Sequence, residues 1–247
     1  MASPRDRFFV EGVHVLGETV SFAPDDARKI VTVLRGRSGE RVHVIDSAGS
    51  AFAAAIDVHA SGVRARLEEA IERGTRESAV RIVVAQAIPK GQKMDLIVEK
   101  ATELGAAAIV PLRSDRVTGE RTGEHKVERW QRIAKTAAQQ SGRTVIPAIV
   151  PIADWDALLA TFGEYDRVYV PWELADVRPL REVFEIDAPR VASVLFVIGP
   201  EGGFSASEVE RAVATGATAI SLGARILRTE TVALAVLSAF AYARGEF

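Results

Sequence analysis

The stretch VIGPEGGFSASEVERA, residues 197–212, joins an apolar run to a helix through a turn that contains three glycines. The apolar run, residues 194–198, predicts a buried strand. Ser205 and Glu208 fit a capping box, in which each side chain bonds the backbone N–H of the other residue. Local chemistry therefore sets the start of the helix, and residues 199–203 are left available for another role.

Two phosphate-binding patterns can be tested against this turn. A P-loop needs the pattern GxxxxGK[ST], whose Lys neutralises phosphate charge, and the turn has no Lys. The dinucleotide fingerprint GxGxxG is also absent, because Gly199, Gly202 and Gly203 have a different spacing. Two interpretations stay open: a tight strand-to-helix turn that uses glycine for positive φ, and a pocket for another ligand.

A second turn of the same type lies in ISLGARILRTETVAL, residues 220–234. An apolar strand ends at Gly223, and a helix begins near Thr229 or Glu230. Two arginines flank an apolar pair in the segment between them: Arg225, Ile226, Leu227 and Arg228. Parallel sheets bind ligands at the carboxyl ends of their strands. The two turns together therefore predict a pocket for a ligand with a planar base and little negative charge.

The chain divides into two regions of different periodicity. Residues 1–74 read as short strands of period two with one short helix, which predicts a small β-barrel or β-rich domain. In residues 75–247 apolar strands alternate with helices, which predicts a parallel sheet covered on both faces. The fold class is α/β with a small N-terminal β-barrel domain.

The last predicted helix, from about Glu230 to Arg244, has almost no polar face. A helix that is apolar all round is buried in a core or against another subunit. A terminal helix is difficult to cover completely within one domain of this size, so the pattern favours a homodimer interface. A deeply buried core helix is the alternative.

Composition excludes several classes of protein. The 247 residues include no cysteine and only four histidines without paired spacing, so neither a disulfide framework nor a metal site is expected. The N-terminus has no secretory apolar core and no apolar run is long enough to span a bilayer, which predicts a cytoplasmic protein without a membrane contact. The net charge of -2 means that any nucleic acid must be bound by a local patch.

Five segments in order closely resemble the ribosomal small-subunit methyltransferase E (RsmE) family of the SPOUT superfamily. They are VLRGRSGERVHVID, KGQKMDLIVEKATELGAAAIVPLRSDR, RWQRIAKTAAQQSGRTVIP, GPEGGFSASE and LGARILRTETVAL. The resemblance covers nearly the whole chain. It implies a PUA-like N-terminal barrel for RNA, residues 1–74, and a SPOUT methyltransferase domain with a deep trefoil knot, residues 75–247.

The resemblance also implies an activity and its partners. The family acts as homodimers that transfer a methyl group from S-adenosylmethionine (SAM) to N3 of uridine 1498 in the 16S rRNA of the small ribosomal subunit. The knot loops bind the methyl donor. One position departs from the family pattern: Gln139 stands where many members have Glu, which makes an acid–base role there doubtful.

SAM has a cationic sulfonium and a planar adenine, so backbone groups and apolar side chains suit it better than a basic cradle. The residues expected to bind it are Gly199, Glu201, Gly202, Gly203, Leu222, Gly223, Ile226, Leu227 and Arg228. Pro171 and Trp172, at the end of a neighbouring strand, are expected to close a third side.

Uracil N3 carries a proton at neutral pH and becomes a good nucleophile only when that proton leaves. Arg228 is the candidate for stabilising the negative charge that develops on the base, and Glu230 or Glu201 for accepting the proton. The alternatives are structural: a capping partner for Arg228, and a favourable position at a helix start for either glutamate.

Phosphate contacts are expected from basic residues in the N-terminal domain and in one later loop. The candidates are Arg5, Arg7, Arg28, Lys29, Arg35, Arg37 and Arg41, with Arg143 added by the resemblance. A solvated charged face is the alternative. The rival functions are an RNA-binding assembly factor that has lost catalysis and a Rossmann-type oxidoreductase, against which the missing GxGxxG argues.

Overall fold

The computed structural model describes residues 7–71, 77–114, 124–173 and 178–247. It contains two compact units. Unit 1 is Met1–Glu77 with Ala138–Val145, and unit 2 is Ser78–Ala137 with Ile146–Phe247. The units are not consecutive stretches of chain, because the eight residues from Ala138 to Val145 belong to unit 1.

The described part of unit 1 contains a five-stranded sheet with the order β1-β3-β4-β5-β2. The strands are β1 Arg7–Phe9, β2 Thr19–Ser21, β3 Arg41–Ile45, β4 Ala51–His59 and β5 Gly62–Ile71. β1 pairs with β3 in parallel, and the remaining pairs are antiparallel. Buried residues alternate with more exposed ones along most of β4 and β5, which is why a period of two in the sequence predicts these strands.

The predicted N-terminal helix consists of two parts. α1, Pro24–Arg28, begins with proline, whose fixed φ suits the first helical turn. It continues into a π-helical turn, Lys29–Val33. Arg35 follows with a φ of 54°, a left-handed conformation that non-glycine residues rarely adopt. The segment therefore turns sharply beside its basic residues.

Unit 2 contains a seven-stranded parallel sheet with the order β10-β12-β9-β11-β6-β7-β8. The strands are β6 Arg81–Ala87, β7 Ala108–Leu112, β8 Ala148–Ile149, β9 Arg167–Pro171, β10 Arg178–Pro179, β11 Ser193–Ile198 and β12 Thr218–Ser221. The helices are α2 Lys93–Glu103, α3 Glu124–Ser141, α4 Trp155–Ala160, α5 Leu180–Asp187, α6 Ala206–Ala214 and α7 Thr229–Arg244. The last residues of α3, from Ala138, belong to unit 1. A 3₁₀ turn, Phe162–Glu164, follows α4. This arrangement confirms the predicted α/β class.

Helices cover both faces of this sheet. Ile82 and Val84 of β6 belong to a core with α2, α5 and α7, whereas Val83 and Ala85 belong to a second core with α4 and α6. The central strands are therefore apolar at successive positions, as expected for a parallel sheet that is buried on both sides.

α7 packs one of its faces into the first core. Phe240 is fully buried and makes edge-to-face contacts with Phe184 and Phe196, with ring centroids 5.3 and 5.7 Å apart. Aromatic pairs in this geometry add to the stability that burial supplies. Tyr242, near the end of the same helix, is 77% exposed. The helix is thus a core element on one face, while its C-terminal end is open.

In the described residues no helix is long and apolar enough to cross a membrane.

Candidate functional site

The first glycine turn connects β11 to α6. The Ser205 side chain accepts a hydrogen bond from the backbone N–H of Glu208, and the Glu208 carboxylate accepts one from the backbone N–H of Ser205 at 2.8 Å. The predicted capping box is confirmed. Phe204, 3% exposed, packs against Trp155 with ring centroids 4.8 Å apart. The end of the turn is therefore held rigidly in the core.

Two of the three glycines of this turn occupy positions where a side chain would be unfavourable. A Cβ at Gly199 would lie 3.3 Å from the backbone carbonyl carbon of Gly203 and from the backbone nitrogen of Phe204. Gly203 has a φ of +64°, and a Cβ there would lie 3.0 Å from the Glu173 carboxylate. Both positions favour glycine, because larger residues would push the turn open.

The second glycine turn connects β12 to α7. Gly223 has a φ of +96°, and α7 begins at Thr229 with Arg228 as its N-cap residue. The Arg228 side chain makes no capping hydrogen bond, so the alternative of a structural cap does not apply. Arg228 is exposed, as is Ile226 at 89%. The turn presents a cation and an apolar side chain to solvent.

β9 lies between β11 and β12 in the sheet. The ends of the three strands are therefore adjacent, with Pro171 of β9 between the two turns. The two turns follow strands that share β9 as a neighbour. Pro171 and Trp172 lie at the third side, as predicted.

Two adjoining cavities, of about 390 and 180 Å³, lie at this edge of the sheet. Their shared lining consists of Pro171, Glu173, Ile226, Leu227 and Val232. The larger cavity also contacts the first glycine turn, and the smaller one contacts Leu222 and Gly223. All ten predicted cofactor-binding residues line one or both: Pro171, Gly199, Glu201, Gly202, Gly203, Leu222, Gly223, Ile226, Leu227 and Arg228.

Lys93, at the first residue of α2, lines the larger cavity and was missed by the sequence analysis. Its Nζ lies 2.6 Å from Oε1 of Glu201, which also accepts a hydrogen bond from the backbone N–H of Lys90. Burial is the largest influence and raises the pKa of Glu201, but the hydrogen bond and charge of Lys93 together with hydrogen bonds from backbone N–H groups outweigh it, so the pKa lies below the ordinary glutamate value. Glu201 is therefore a weaker base than a free glutamate.

Glu173 and Thr229 are two further lining residues that the sequence analysis missed. Glu230, in contrast, does not line either cavity, although it was predicted as a proton acceptor. Its Oε2 is buried and has no hydrogen-bond partner among the described residues. Arg228 and Glu201 are thus the predicted catalytic residues that reach the larger cavity.

Unit 1 holds most of the predicted RNA-binding residues. Arg28, Arg35 and Arg37 are exposed. Lys29 is half-buried, and its Nζ lies 5.8 Å from the centre of the Phe8 ring. The Arg7 guanidinium donates to the carbonyl oxygen of Gly142.

Two further basic residues were predicted in the same region. Arg41 pairs with Glu68 and Glu69 of β5, which partly neutralises its charge. Arg5 lies outside the described residues.

The prediction that Arg143 faces RNA is wrong. Arg143 is only 3% exposed, and its guanidinium donates to Oε2 of Glu77 at 2.7 and 3.0 Å. The other oxygen of Glu77 accepts hydrogen bonds from the backbone N–H groups of Thr144 and Val145. Arg143 is a structural residue, because a buried charge requires such partners.

Gln139 also has a structural role in unit 1. It is buried, its Oε1 accepts a hydrogen bond from Lys29 Nζ at 3.1 Å, and its Nε2 lies 3.4 Å from Oδ1 of Asp26. An amide can accept from a lysine and donate to an aspartate at the same time, whereas an ionised glutamate could only accept. The departure from the family pattern is therefore compatible with its neighbours.

No group of three His, Asp or Glu side chains within the described ranges is arranged to hold a metal ion. The lining of the two cavities consists of backbone groups, apolar side chains and the charged residues Lys93, Glu173, Glu201, Arg225 and Arg228.

The model of the RNA methyltransferase domain family matches residues 76–241, which contain the parallel sheet and the cavity at its carboxyl edge. The chain belongs to the ribosomal RNA small subunit methyltransferase E family. It is 31% identical to the ribosomal RNA small subunit methyltransferase E of Bacillus subtilis over 230 residues, which cover 91% of this chain and 90% of that relative.

Solved structures agree with this assignment. The ribosomal RNA small subunit methyltransferase E of Neisseria gonorrhoeae, determined bound to S-adenosyl methionine, superposes with a TM-score of 0.86 at 30% identity. The match covers 96% of this chain and 97% of that one. A Legionella pneumophila protein, determined in complex with the bound cofactor SAM, superposes with a TM-score of 0.88 at 30% identity and the same coverage.

Proposed function

We propose that this chain transfers a methyl group from SAM to N3 of uridine 1498 in the 16S rRNA of the small ribosomal subunit. The proposal rests on the larger cavity at the ends of β9, β11 and β12. Residues of both glycine turns line this cavity. Family membership supports the reaction class and the rRNA substrate.

The cavity fits SAM in size and chemistry. Small-molecule sites have volumes of about 300–1,000 Å³, and the larger cavity falls within that range at about 390 Å³. Gly199, Gly202 and Gly203 line the larger cavity without side chains, so a ligand can approach the backbone there. Leu227 and Val232 supply apolar contacts. The carboxylates of Glu173 and Glu201 balance the charges of Lys93 and Arg228, so the larger cavity has no excess of positive charge that would favour a phosphate.

SAM supplies an activated methyl group when it is bound, so the protein must chiefly align the two reactants. The reaction forms the bond between N3 and the methyl carbon, breaks the sulfur–methyl bond and releases the N3 proton. Arg228 faces the larger cavity without a capping hydrogen bond, so its guanidinium is available to stabilise negative charge on the base. Of the two glutamates predicted as proton acceptors, Glu201 is the one that lines this cavity, and its ion pair with Lys93 limits its basicity.

Unit 1 provides the RNA-binding surface in this proposal. Arg28, Arg35 and Arg37 are exposed around the π-helical turn, and basic side chains of this kind hold phosphates and fix the register of the substrate. Lys29 and Arg7 lie beside this surface, but their cationic groups bond to Gln139 and Gly142 within unit 1. We assign unit 1 to the PUA-like class because its five-stranded sheet agrees with the family resemblance. Arg143 has no part in it, because its charge is used within the protein.

Two further elements of the family pattern belong to the proposal. The C-terminal segments form a trefoil knot around the donor site, and two copies form a homodimer. The exposed end of α7, where Tyr242 is 77% exposed, supports an interface there. Sedimentation equilibrium should give a dimer for the wild type and a larger monomer fraction for Tyr242→Glu.

Incubation with labelled SAM and small subunits that lack the modification tests the activity. We expect label in 16S rRNA and a reverse-transcription stop at the modified uridine, since an N3 methyl group blocks base pairing. The absence of label would contradict the proposal. If the chain then bound small subunits but not SAM, it would be an RNA-binding assembly factor.

The RNA surface can be tested separately. Replacing Arg28, Arg35 and Arg37 with Gln should weaken binding to 16S rRNA and lower the slope of log affinity against log salt by about 2–3, since each phosphate contact contributes roughly 0.7–0.9. The matched control replaces Arg64 and Arg66, two exposed arginines of β5, with Gln. Equal effects in both sets would contradict the assigned surface.

A further inference from the structure

Gln86 is a completely buried amide at the carboxyl end of β6. It lies opposite Ile198, the last residue of β11, in the parallel sheet. Burying an amide is costly unless it is hydrogen-bonded. The bonds that Gln86 makes therefore indicate what this position requires.

The amide nitrogen of Gln86 donates toward the edge of the larger cavity. Nε2 lies 2.9 Å from Oγ1 of Thr229, 2.9 Å from the carbonyl oxygen of Ala87 and 3.5 Å from that of Gly199. Two of these neighbours are carbonyl oxygens, which can only accept, so the nitrogen must face them. Oε1 has no hydrogen-bond partner among the described residues. The stabilisation from Gln86 thus comes through its donor side.

Thr229 links the two glycine turns. Its hydroxyl donates to the carbonyl oxygen of Gly199 at 2.6 Å and accepts the hydrogen bond from Gln86. Thr229 is the first residue of α7 and directly follows Arg228, whereas Gly199 begins the turn after β11. Thr229 and Gly199 both line the larger cavity. The hydroxyl therefore fixes the start of α7 against the end of β11.

We infer that Gln86 and Thr229 are positioning residues of the SAM site, and this inference rests on the proposed function. Their hydrogen bonds hold the two turns at the separation that SAM requires. Gln86 acts through Thr229 and does not itself line the cavity. Gln86 lies in β6, which pairs with a strand on each side, so the separation is tied to the interior of the sheet.

Isothermal titration with SAM tests this inference. Thr229→Val keeps the shape of the side chain but removes the hydroxyl, and we expect SAM to bind roughly tenfold more weakly, as for the loss of about one hydrogen bond. Thr229→Ser should restore binding. Gln86→Leu should weaken binding similarly, and the double variant should lose less than the two single losses combined, because the residues act together.

Thr102→Val is the matched control. Thr102 is also fully buried in unit 2, and its hydroxyl donates to the carbonyl oxygen of Val98 within α2. This variant should lose thermal stability but bind SAM like the wild type. In turnover assays the KM for SAM should rise in the Thr229→Val variant, while the KM for small subunits stays unchanged.

The outcomes are distinct. Wild-type affinity for SAM in both Thr229→Val and Gln86→Leu would overturn the inference and leave the proposed function standing. An equal loss in Thr102→Val would overturn it as well, since general destabilisation would then explain the effect. A wild-type protein that neither bound SAM nor labelled 16S rRNA would contradict both.

Discussion

The two glycine turns of the site are held in place in different ways. The turn after β11 is fixed locally, by a capping box, by Phe204 in the core and by glycines that leave no space for a Cβ. In the turn after β12, Ile226 is 89% exposed and Arg228 makes no capping bond. That second turn takes its position from Thr229, which bonds to the first turn. The first turn is thus held mainly by contacts within its own segment, whereas the second turn is held by a contact with a residue far away in the sequence.

The two turns should differ most in how the free energy of unfolding responds when one apolar side chain in each turn is truncated. Phe204→Ala should lower the free energy of unfolding by about 3–5 kcal/mol, because it opens a cavity beside Trp155. Ile226→Ala should change it by less than about 0.5 kcal/mol, since the side chain is exposed, but should weaken SAM binding. Urea titrations of both variants measure this. Equal losses of stability would contradict the contrast between the turns.

Removal of the Arg228 cation from the second turn should chiefly affect catalysis. Arg228→Ala should lower kcat by roughly 10²–10³, the usual effect of losing one group that stabilises developing negative charge. Single-turnover labelling of small subunits measures the rate, and Arg190→Ala, another exposed arginine of unit 2, should behave like the wild type. Normal turnover in Arg228→Ala would remove Arg228 from the mechanism.

An added methyl group in the first turn tests its close packing. Gly199→Ala places a Cβ 3.3 Å from backbone atoms of Gly203 and Phe204, so the turn must shift. Misplacement of about 1 Å costs roughly 10²-fold in rate, and we expect kcat/KM to fall by up to this factor. Gly163→Ala is the control, because nothing lies within 4 Å of its added Cβ. Unchanged kcat/KM in Gly199→Ala would mean that the first turn can shift without disturbing the site.

The smallest expected effect concerns the charge of Glu201. Burial raises the pKa of Glu201, but hydrogen bonds from Lys93 and from backbone N–H groups lower it by a larger amount. Lys93→Met removes the strongest of these hydrogen bonds and should therefore raise the pKa. A depressed carboxylate pKa stabilises the fold at pH values above the unfolded pKa, and that contribution is lost as the pH falls through the folded pKa. NMR titration of the Glu201 carboxyl carbon measures both proteins. An unchanged pKa in Lys93→Met would show that Lys93 does not lower the pKa of Glu201.

The sequence predicted those parts of the site that depend on neighbouring residues. Ser205 and Glu208 are three positions apart, so their capping box could be read directly from the sequence. The ten residues expected to bind the cofactor, nine in the two turns and Pro171 at the end of β9, also came from the sequence with the family resemblance, and all ten line one or both cavities. Lys93 could have been found, because it follows the carboxyl end of β6.

Contacts between distant parts of the chain could not be predicted in this way. Gln86 meets Thr229 across 143 positions, and nothing in either local pattern indicates the other. Arg143 was misassigned for the same reason, because its partner Glu77 lies 66 positions earlier. A short segment from Ala138 to Val145 that belongs to unit 1 also has no signature in the local sequence.

The central claim is that SAM binds between these two turns, and fluorescence of Trp172 tests it most directly. Trp172 lines the smaller cavity, whereas the other two tryptophans, Trp130 and Trp155, are buried in the cores. In a variant with both of these replaced by Phe, we predict a saturable change of Trp172 emission on titration with SAM, with the same midpoint as calorimetry. Calorimetric binding without any change of emission would place SAM elsewhere and contradict the account.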